Sequence, residues 1–369
     1  MTSAQIEIQL IAVVVAAACA LPGAFLVLRR TAMLSDAISH AILPGIALAF
    51  FATHSLHSPL LVVAAAATGV LTVGLIEALA RTGRVKQDAA IGLVFPVLFS
   101  IGVILITQRA SDVHLDADAV LLGELAFAPF NRFVVGGTDL GPQALWTMVP
   151  ILLLNIAFIL LFYKELKLAT FDRALAAALG FAPTAIHYAL MSLVSVTAVG
   201  AFDAVGSILV VAFVVGPPAA AYLLTDRLAV LLGLSAALGA VSGVGGYWLA
   251  RLLDASIAGS MAAVVGVVFA ATFLFAPERG IVAQMQRRRE RRARFAEKML
   301  AVHLLHHEGT EEAERECRMD HLQEHLRWTP DMAGKTVTLA ERHGLVRRRN
   351  GRLGLTSEGR AFAQTSMVD

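Results

Sequence analysis

Residues 34–51 read LSDAISHAILPGIALAFF. An acid and an imidazole stand four positions apart, a proline follows, and the rest of the run is aliphatic or small. Whether this run lies in water or in lipid decides how the whole chain is read. The 369 residues are 57% hydrophobic and 16% charged, with a mean hydropathy of +0.71. Soluble domains carry roughly 45–50% apolar and about 25% charged residues. The composition therefore points to an integral membrane protein and excludes an ordinary soluble one. A net charge of +2 says less than where the charges fall. Cys19 and Cys317 are too far apart in sequence to suggest a disulfide scaffold, and they fit a reducing or membrane setting. The opening MTSAQIEIQL lacks the basic start of a secretory signal, so its apolar run reads as a first span.

A span needs about 20 mainly apolar residues. On that basis nine are expected: 8–28, 31–52, 59–80, 89–108, 144–163, 186–202, 205–224, 228–250 and 259–276. The sixth and seventh are separated by almost nothing. The fold class is thus an all-α polytopic membrane protein of eight or nine spans. Arg29 and Arg30, RTGRVK (81–86), YKELK (163–167), Arg227 and RRRERRAR (287–294) fall on alternate loops. The positive-inside rule makes those loops cytoplasmic, with the N-terminus external and the C-terminus cytoplasmic. The opposite loops, which include His54, His57, Asp112, His114, Asp116 and Asp118, are poor in Lys/Arg; these side chains suit cation collection or ordinary loop polarity.

Composition switches at Pro277. The expected organisation is a transmembrane domain (1–280), a basic juxtamembrane linker (281–294) and a small soluble domain (295–369). The arginine-rich linker suits contact with anionic lipid, at about 1 kcal/mol per basic residue near the surface.

On a helix, Asp36 and His40 share one face, a turn apart. If the helix begins near Thr31, His40 lies about 13 Å along it, close to the membrane midplane. Ionisable groups at such depth are costly and are presumed functional. Pro44 has no N–H to give the His40 carbonyl, so the stretch offers a carboxylate, an imidazole and a carbonyl oxygen. This mixed set suits Mn²⁺, with Fe²⁺ or Zn²⁺ as alternatives. The pair alone equally fits a hydrogen bond between helices or a proton relay; the S-D-x-x-S-H run with its proline favours a metal site. Asp203 stands between two spans, lining a path or marking an interface. Pro217-Pro218 predicts a broken or kinked helix of the kind that borders cavities in transporters. AGKT (333–336) looks like the end of a phosphate-binding loop, but Thr329 stands where its first glycine belongs. No nucleophile–base set or Cys/His finger spacing accompanies it. The chain is therefore expected not to be an enzyme, to bind no permanent cofactor, and to draw its energy from another chain.

Residues 28–51, LRRTAMLSDAISHAILPGIALAFF, resemble the most recognisable run of the permease subunits of bacterial ABC importers for manganese, zinc and iron. LLGELAFAPFNRFVVGGTDLGPQALW (121–146) and FDAVGSILVVAFVVGPPAAAYLLTDRL (202–228) are similar to segments of that family's manganese/iron branch. The resemblance implies a bacterial plasma-membrane location, a second permease protomer (identical or not), cytoplasmic ATPase subunits and an external metal-binding protein. It also implies that Asp36 and His40 coordinate the transported ion. Residues 168–183, LATFDRALAAALGFAP, look like the family's ATPase-coupling segment, which singles out Phe171, Asp172, Leu175 and Gly180. Phe171, Leu175 and Leu179 would share one apolar face of a short helix.

Beyond the common plan of that family, residues 295–365 read as three helices and a hairpin. Thr329-Pro330 predicts a helix start, and Asn350-Gly351 a two-residue hairpin turn. The pattern resembles the winged helix-turn-helix of metal-dependent repressors, in which Lys335, Arg342, Arg347, Arg348 and Arg349 would touch nucleic-acid phosphates. A regulatory or interaction module is the favoured use. The competing readings of the whole chain are a membrane-tethered, metal-responsive transcription regulator and an ion-coupled secondary transporter.

Overall fold

The computed structural model describes residues 2–54, 59–109, 125–135, 138–319, 321–322, 326–349 and 351–368. They form two compact units, Met1–Gly280 and Ile281–Asp369.

In the first unit the helix α1 (Ser3–Leu28) has no polar face, and such a helix is stable only when covered all round. Ile11, Val15, Cys19, Phe25 and Leu26 are accordingly fully buried. After α1 come α2 (Met33–Ala41), α3 (Leu43–Thr53), α4 (Pro59–Arg81) and α5 (Gln87–Arg109). A hairpin of β1 (Arg132–Val135) and β2 (Thr138–Pro142) precedes α6 (Gln143–Leu161), α7 (Tyr163–Phe171), α8 (Arg173–Ala178) and α9 (Pro183–Val205). The unit ends with α10 (Ser207–Leu224), α11 (Leu228–Leu253) and α12 (Ile257–Phe275). Helices α6, α9, α10 and α11 surround α1.

Among the described residues nine helices are long and apolar enough to cross a membrane, with α2 and α3 counted as one. They match the nine expected spans to within a few residues. Gly206, at φ 79°, turns the chain sharply between α9 and α10. Only glycine enters that region without steric cost, which explains how two spans can follow with almost no loop. Pro217 and Pro218 are buried inside an α10 that continues to Leu224. The expected break there does not occur, because neighbouring helices hold the path of a proline-bearing span.

Close packing substitutes for the hydrophobic drive that lipid cannot supply. Gly239 and Gly243 of α11 face Ala16 and Ala12 of α1; a Cβ added to either glycine would lie 3.2 Å from the alanine methyl. Buried Asn155 of α6 donates through Nδ2 to the Ala18 carbonyl at 2.8 Å and to Thr197 Oγ1 of α9 at 3.0 Å, tying three helices together. Outward-facing Leu93, Val97, Ile101 and Ile104 make α5 apolar on its exposed side, a surface that lipid or protein must cover.

The second unit contains α13 (Ile281–His307), α14 (Ala313–Glu316), α15 (Pro330–Arg342), β3 (Val346–Arg349), β4 (Arg352–Leu355) and α16 (Ser357–Val368). Leu300, Leu304, Leu322, Trp328, Val337, Val346 and Leu353 form its core. The basic residues expected as a linker are the first half of α13, a 27-residue helix. Thr329 caps α15, accepting from the Met332 amide, with Pro330 in the first turn. The β3–β4 ladder pairs Val346 with Leu355 and Arg349 with Arg352. Of the second expected helix, residues 315–328, the start falls in α14 and the described residues 319, 321 and 322 are helical; residues 320 and 323–325, like Asn350, lie outside the described residues.

Candidate metal centre

The run that opened the sequence reading folds as two helices separated by Ile42. Pro44 sits in the first turn of α3, where a missing N–H is tolerated, so the chain restarts its helix there. Asp36 and His40 fall on one face of α2, with Asp36 Oδ1 3.5 Å from His40 Nε2. That exceeds an ordinary N–H···O hydrogen bond of about 2.9–3.0 Å. It lies within ion-pair range. Both side chains keep an open face, 43% exposed for Asp36 and 28% for His40. The His40 ring lies against Phe95 and Phe99 of α5, with centroids 6.0 and 6.3 Å away. The serines between are already engaged: Ser35 Oγ donates to the Ala32 carbonyl and Ser39 Oγ to the Ser35 carbonyl. Among the described residues no further His, Cys, Asp or Glu completes a three-ligand set at this pair. His57, Asp112, His114, Asp116 and Asp118 lie outside the described residues.

The expected coupling segment is not a single helix. Asp172 leaves the helical region and caps α8, its Oδ1 accepting from the Leu175 amide at 2.9 Å. Phe171 therefore ends α7, Leu175 lies in α8, and Gly180 follows at φ 84°. Phe171, Leu175 and Leu179 remain largely exposed, at 61, 45 and 58%, an apolar surface outside the candidate spans.

Sequence reasoning missed a polar cluster beside this segment. Arg29, just past α1, donates through Nε to Thr170 Oγ1 of α7 at 3.1 Å, and its Nη1 lies 3.1 Å from His187 Nδ1 of α9. His187 Nε2 is 2.5 Å from Glu77 Oε1 of α4. Glu77 Oε2 accepts from Tyr188 at 3.0 Å and from Arg81 at 3.2 Å. Burial, with repulsion from Arg173 second, lowers the Arg29 pKa to about 10. Its Nη2 is buried without a hydrogen-bond partner among the described residues. The sequence signal was Glu77, a lone acid within an expected span; helical spacing could not show that α1, α7 and α9 converge on it.

Comparison with known proteins bears on this arrangement. Residues 3–276 match the model of the ABC 3 transport family. The chain belongs to the ABC 3 transport family. This family member is 46% identical over 361 residues, 98% of both chains, to the zinc transport system membrane protein TroD of Treponema pallidum. It is 50% identical over 275 residues, 74% of this chain and 93% of the other, to the manganese transport system membrane protein MntD of Bacillus subtilis. Among solved structures, PsaBC of Streptococcus pneumoniae in complex with Fab superposes with a TM-score of 0.64 at 28% identity, covering 75% of this chain and 94% of that one. The relatives are permease subunits of ABC transporters and not enzymes, the ATPase being a separate subunit. A family of transporters does not favour the membrane-tethered regulator. A match over 361 residues extends through most of the second unit of this ABC 3 protein, so TroD shares it.

In that second unit the candidate phosphate-contacting residues are spread over α15 and β3. Lys335 pairs with Asp331 at 2.6 Å, and Arg348 with Glu341 at 3.5 Å. Arg342, Arg347 and Arg349 are exposed.

Proposed function

We propose that this chain is the membrane permease subunit of an ATP-driven importer of divalent metal ions, manganese preferred and iron or zinc as alternatives. In this reading the ion passes Asp36 and His40. The observation that carries it is the 3.5 Å separation of a carboxylate and an imidazole on a part-exposed helix face, a ready-made edge for a first-row cation. A second permease protomer, identical or not, supplies the remaining ligands across that face. The exposed Phe171 and Leu175, with Asp172 and Gly180 shaping the bend between and after them, dock into a cytoplasmic ATPase subunit. An external metal-binding protein delivers the ion. The chain sits in a bacterial plasma membrane with its C-terminus cytoplasmic, and the basic start of α13 lies on anionic lipid. The C-terminal unit acts as a winged-helix regulatory or interaction module, with nucleic acid as a lesser candidate through Lys335, Arg342, Arg347, Arg348 and Arg349. The zinc and manganese named in the relatives, together with the family match, support the substrate class.

The test is uptake of radiolabelled Mn²⁺ by the reconstituted complex, with unlabelled Fe²⁺ and Zn²⁺ as competitors. D36A/H40A is expected to abolish ATP-dependent uptake while leaving membrane insertion intact. Unimpaired uptake by that variant removes the site from consideration.

A further inference from the structure

The second unit holds a second cluster of metal-ligating side chains. His303 and His307 lie one turn apart on α13, and Glu316 ends α14 opposite them. One ligand atom from each falls within 4.8 Å of the other two, and among the described residues this is the set of three or more that could hold an ion. The two imidazole rings are 4.7 Å apart between centroids. We infer that His303, His307 and Glu316 form a divalent transition-metal site of the Zn²⁺ class in the C-terminal unit, separate from the pair in the membrane.

Three features beyond proximity support the assignment. Histidines at i and i+4 present two imidazoles from one helical face, a spacing that recurs in helical zinc sites because one turn brings both rings to a single ion. The His303 Nε2 lies 3.2 Å from the Glu316 main-chain carbonyl. With the proton on Nε2 the lone pair is on Nδ1, and the hydrogen bond fixes the ring, as the outer partners of metal-binding histidines do. On the other side, His321 Nε2 lies 2.7 Å from Glu316 Oε1 and orients the carboxylate in the same manner. Two imidazoles and one carboxylate favour Zn²⁺ over Mn²⁺ and Fe²⁺ by the ordinary affinity order of these metals. Three protein ligands leave a further position open, which marks an exchangeable site more than a closed structural one. Two ligands on α13 and one at the end of α14 make a bound ion a bridge between these two elements, which couples metal to the geometry of this unit.

The assignment of ligands does not depend on the transport reading; only its use, reporting internal metal to the importer, rests on that reading. The experiment takes the full-length, tag-free chain in detergent and measures Zn²⁺ by equilibrium dialysis in four forms: unaltered, D36A/H40A, D36A/H40A/E316Q and D36A/H40A/H307A. The expected result is one Zn²⁺ retained by D36A/H40A, with affinity falling about tenfold or more in the E316Q and H307A backgrounds, the scale on which supporting partners alone act. The Zn K-edge absorption spectrum of D36A/H40A should report two imidazoles. Because E316Q keeps the shape of the side chain, and the spectrum needs no substitution in the C-terminal unit, a folding defect in H307A leaves both readouts in place. No Zn²⁺ on D36A/H40A, undiminished binding by E316Q, or a spectrum without two imidazoles overturns the site. Equal Zn²⁺ counts for the unaltered and D36A/H40A chains would instead count against the membrane pair, leaving this one standing.

Discussion

Arg29→Met isolates what the buried cluster does. The Arg29 pKa is lowered from the ordinary arginine value to about 10 in the fold, chiefly through burial. At 1.36 kcal/mol per pH unit, the charged form therefore costs the fold roughly 3 kcal/mol at neutral pH. The sign follows from the direction: a base with a lowered folded pKa carries its penalty below about pH 10 and sheds it as pH rises through that value. Methionine fills similar volume without charge and removes the penalty. It also removes the contacts to Thr170 and His187, two hydrogen bonds at about 0.5–1.5 kcal/mol each. The balance lies between no change and about 2 kcal/mol of stabilisation. At roughly 2–4 °C per kcal/mol for chains of 150–250 residues, the Tm of the detergent-solubilised protein should stay level or rise by up to about 8 °C. ATP-driven metal uptake should nevertheless fall, because α7 loses its tie to the end of α1 beside the proposed coupling segment. Tm is followed by intrinsic fluorescence and uptake in proteoliposomes. A fall in Tm of more than about 5 °C would mean that the charge stabilises the fold, and the reasoning fails; unchanged uptake would refute the tie.

Three further outcomes are expected. Asn155→Leu removes the bonds to Ala18 and Thr197 and should destabilise by about 0.6–1.7 kcal/mol, the range measured for hydrogen bonds between membrane helices; an unchanged thermal melt contradicts this. Gly243→Val drives a branched side chain into Ala12 and should cost about 1–3 kcal/mol by overpacking, with G243A milder, as read from paired melts. Asp139 is held below the usual carboxylate range by the Gly141 amide and Arg132. Its contribution to the β1–β2 hairpin is therefore present above the unfolded carboxylate pKa and lost as pH falls. Hydrogen exchange of residues 132–142, corrected for intrinsic rates, should quicken at pH 3 relative to pH 6, and Arg132→Gln should shrink the difference.

The spans were legible because about twenty apolar residues leave little alternative, and their edges followed the charges that stop them. That Asp36 and His40 share one face was legible because four residues make about one helical turn, so sequence spacing became distance directly. What the sequence withheld was set by single residues or by contacts between distant elements. Asp172, read as part of one amphipathic helix, ends that helix by capping the next, since its side chain competes for the Leu175 amide. The hairpin at 132–142 was overlooked although VVGGT is a strong turn signal, its strands being short and embedded between spans. Pro217 and Pro218 were read for the backbone bonds they remove, whereas burial among neighbouring helices decides whether the helix survives. The Arg29–His187–Glu77 contacts join residues over a hundred positions apart, which no local periodicity encodes.

The one-residue joint at Ile42 has a mechanical meaning. Asp36 stands six residues from it, a lever arm of about 9 Å, and His40 two residues, about 3 Å. A swing of α2 by about 10° at fixed α3 moves the Asp36 backbone by about 1.6 Å and that of His40 by about 0.5 Å. Metal–ligand bonds tolerate about 0.2 Å. Such a swing exceeds that tolerance at both side chains and carries the carboxylate about three times as far as the imidazole, so under the proposed metal reading a small angular displacement disturbs both bonds, the oxygen's most.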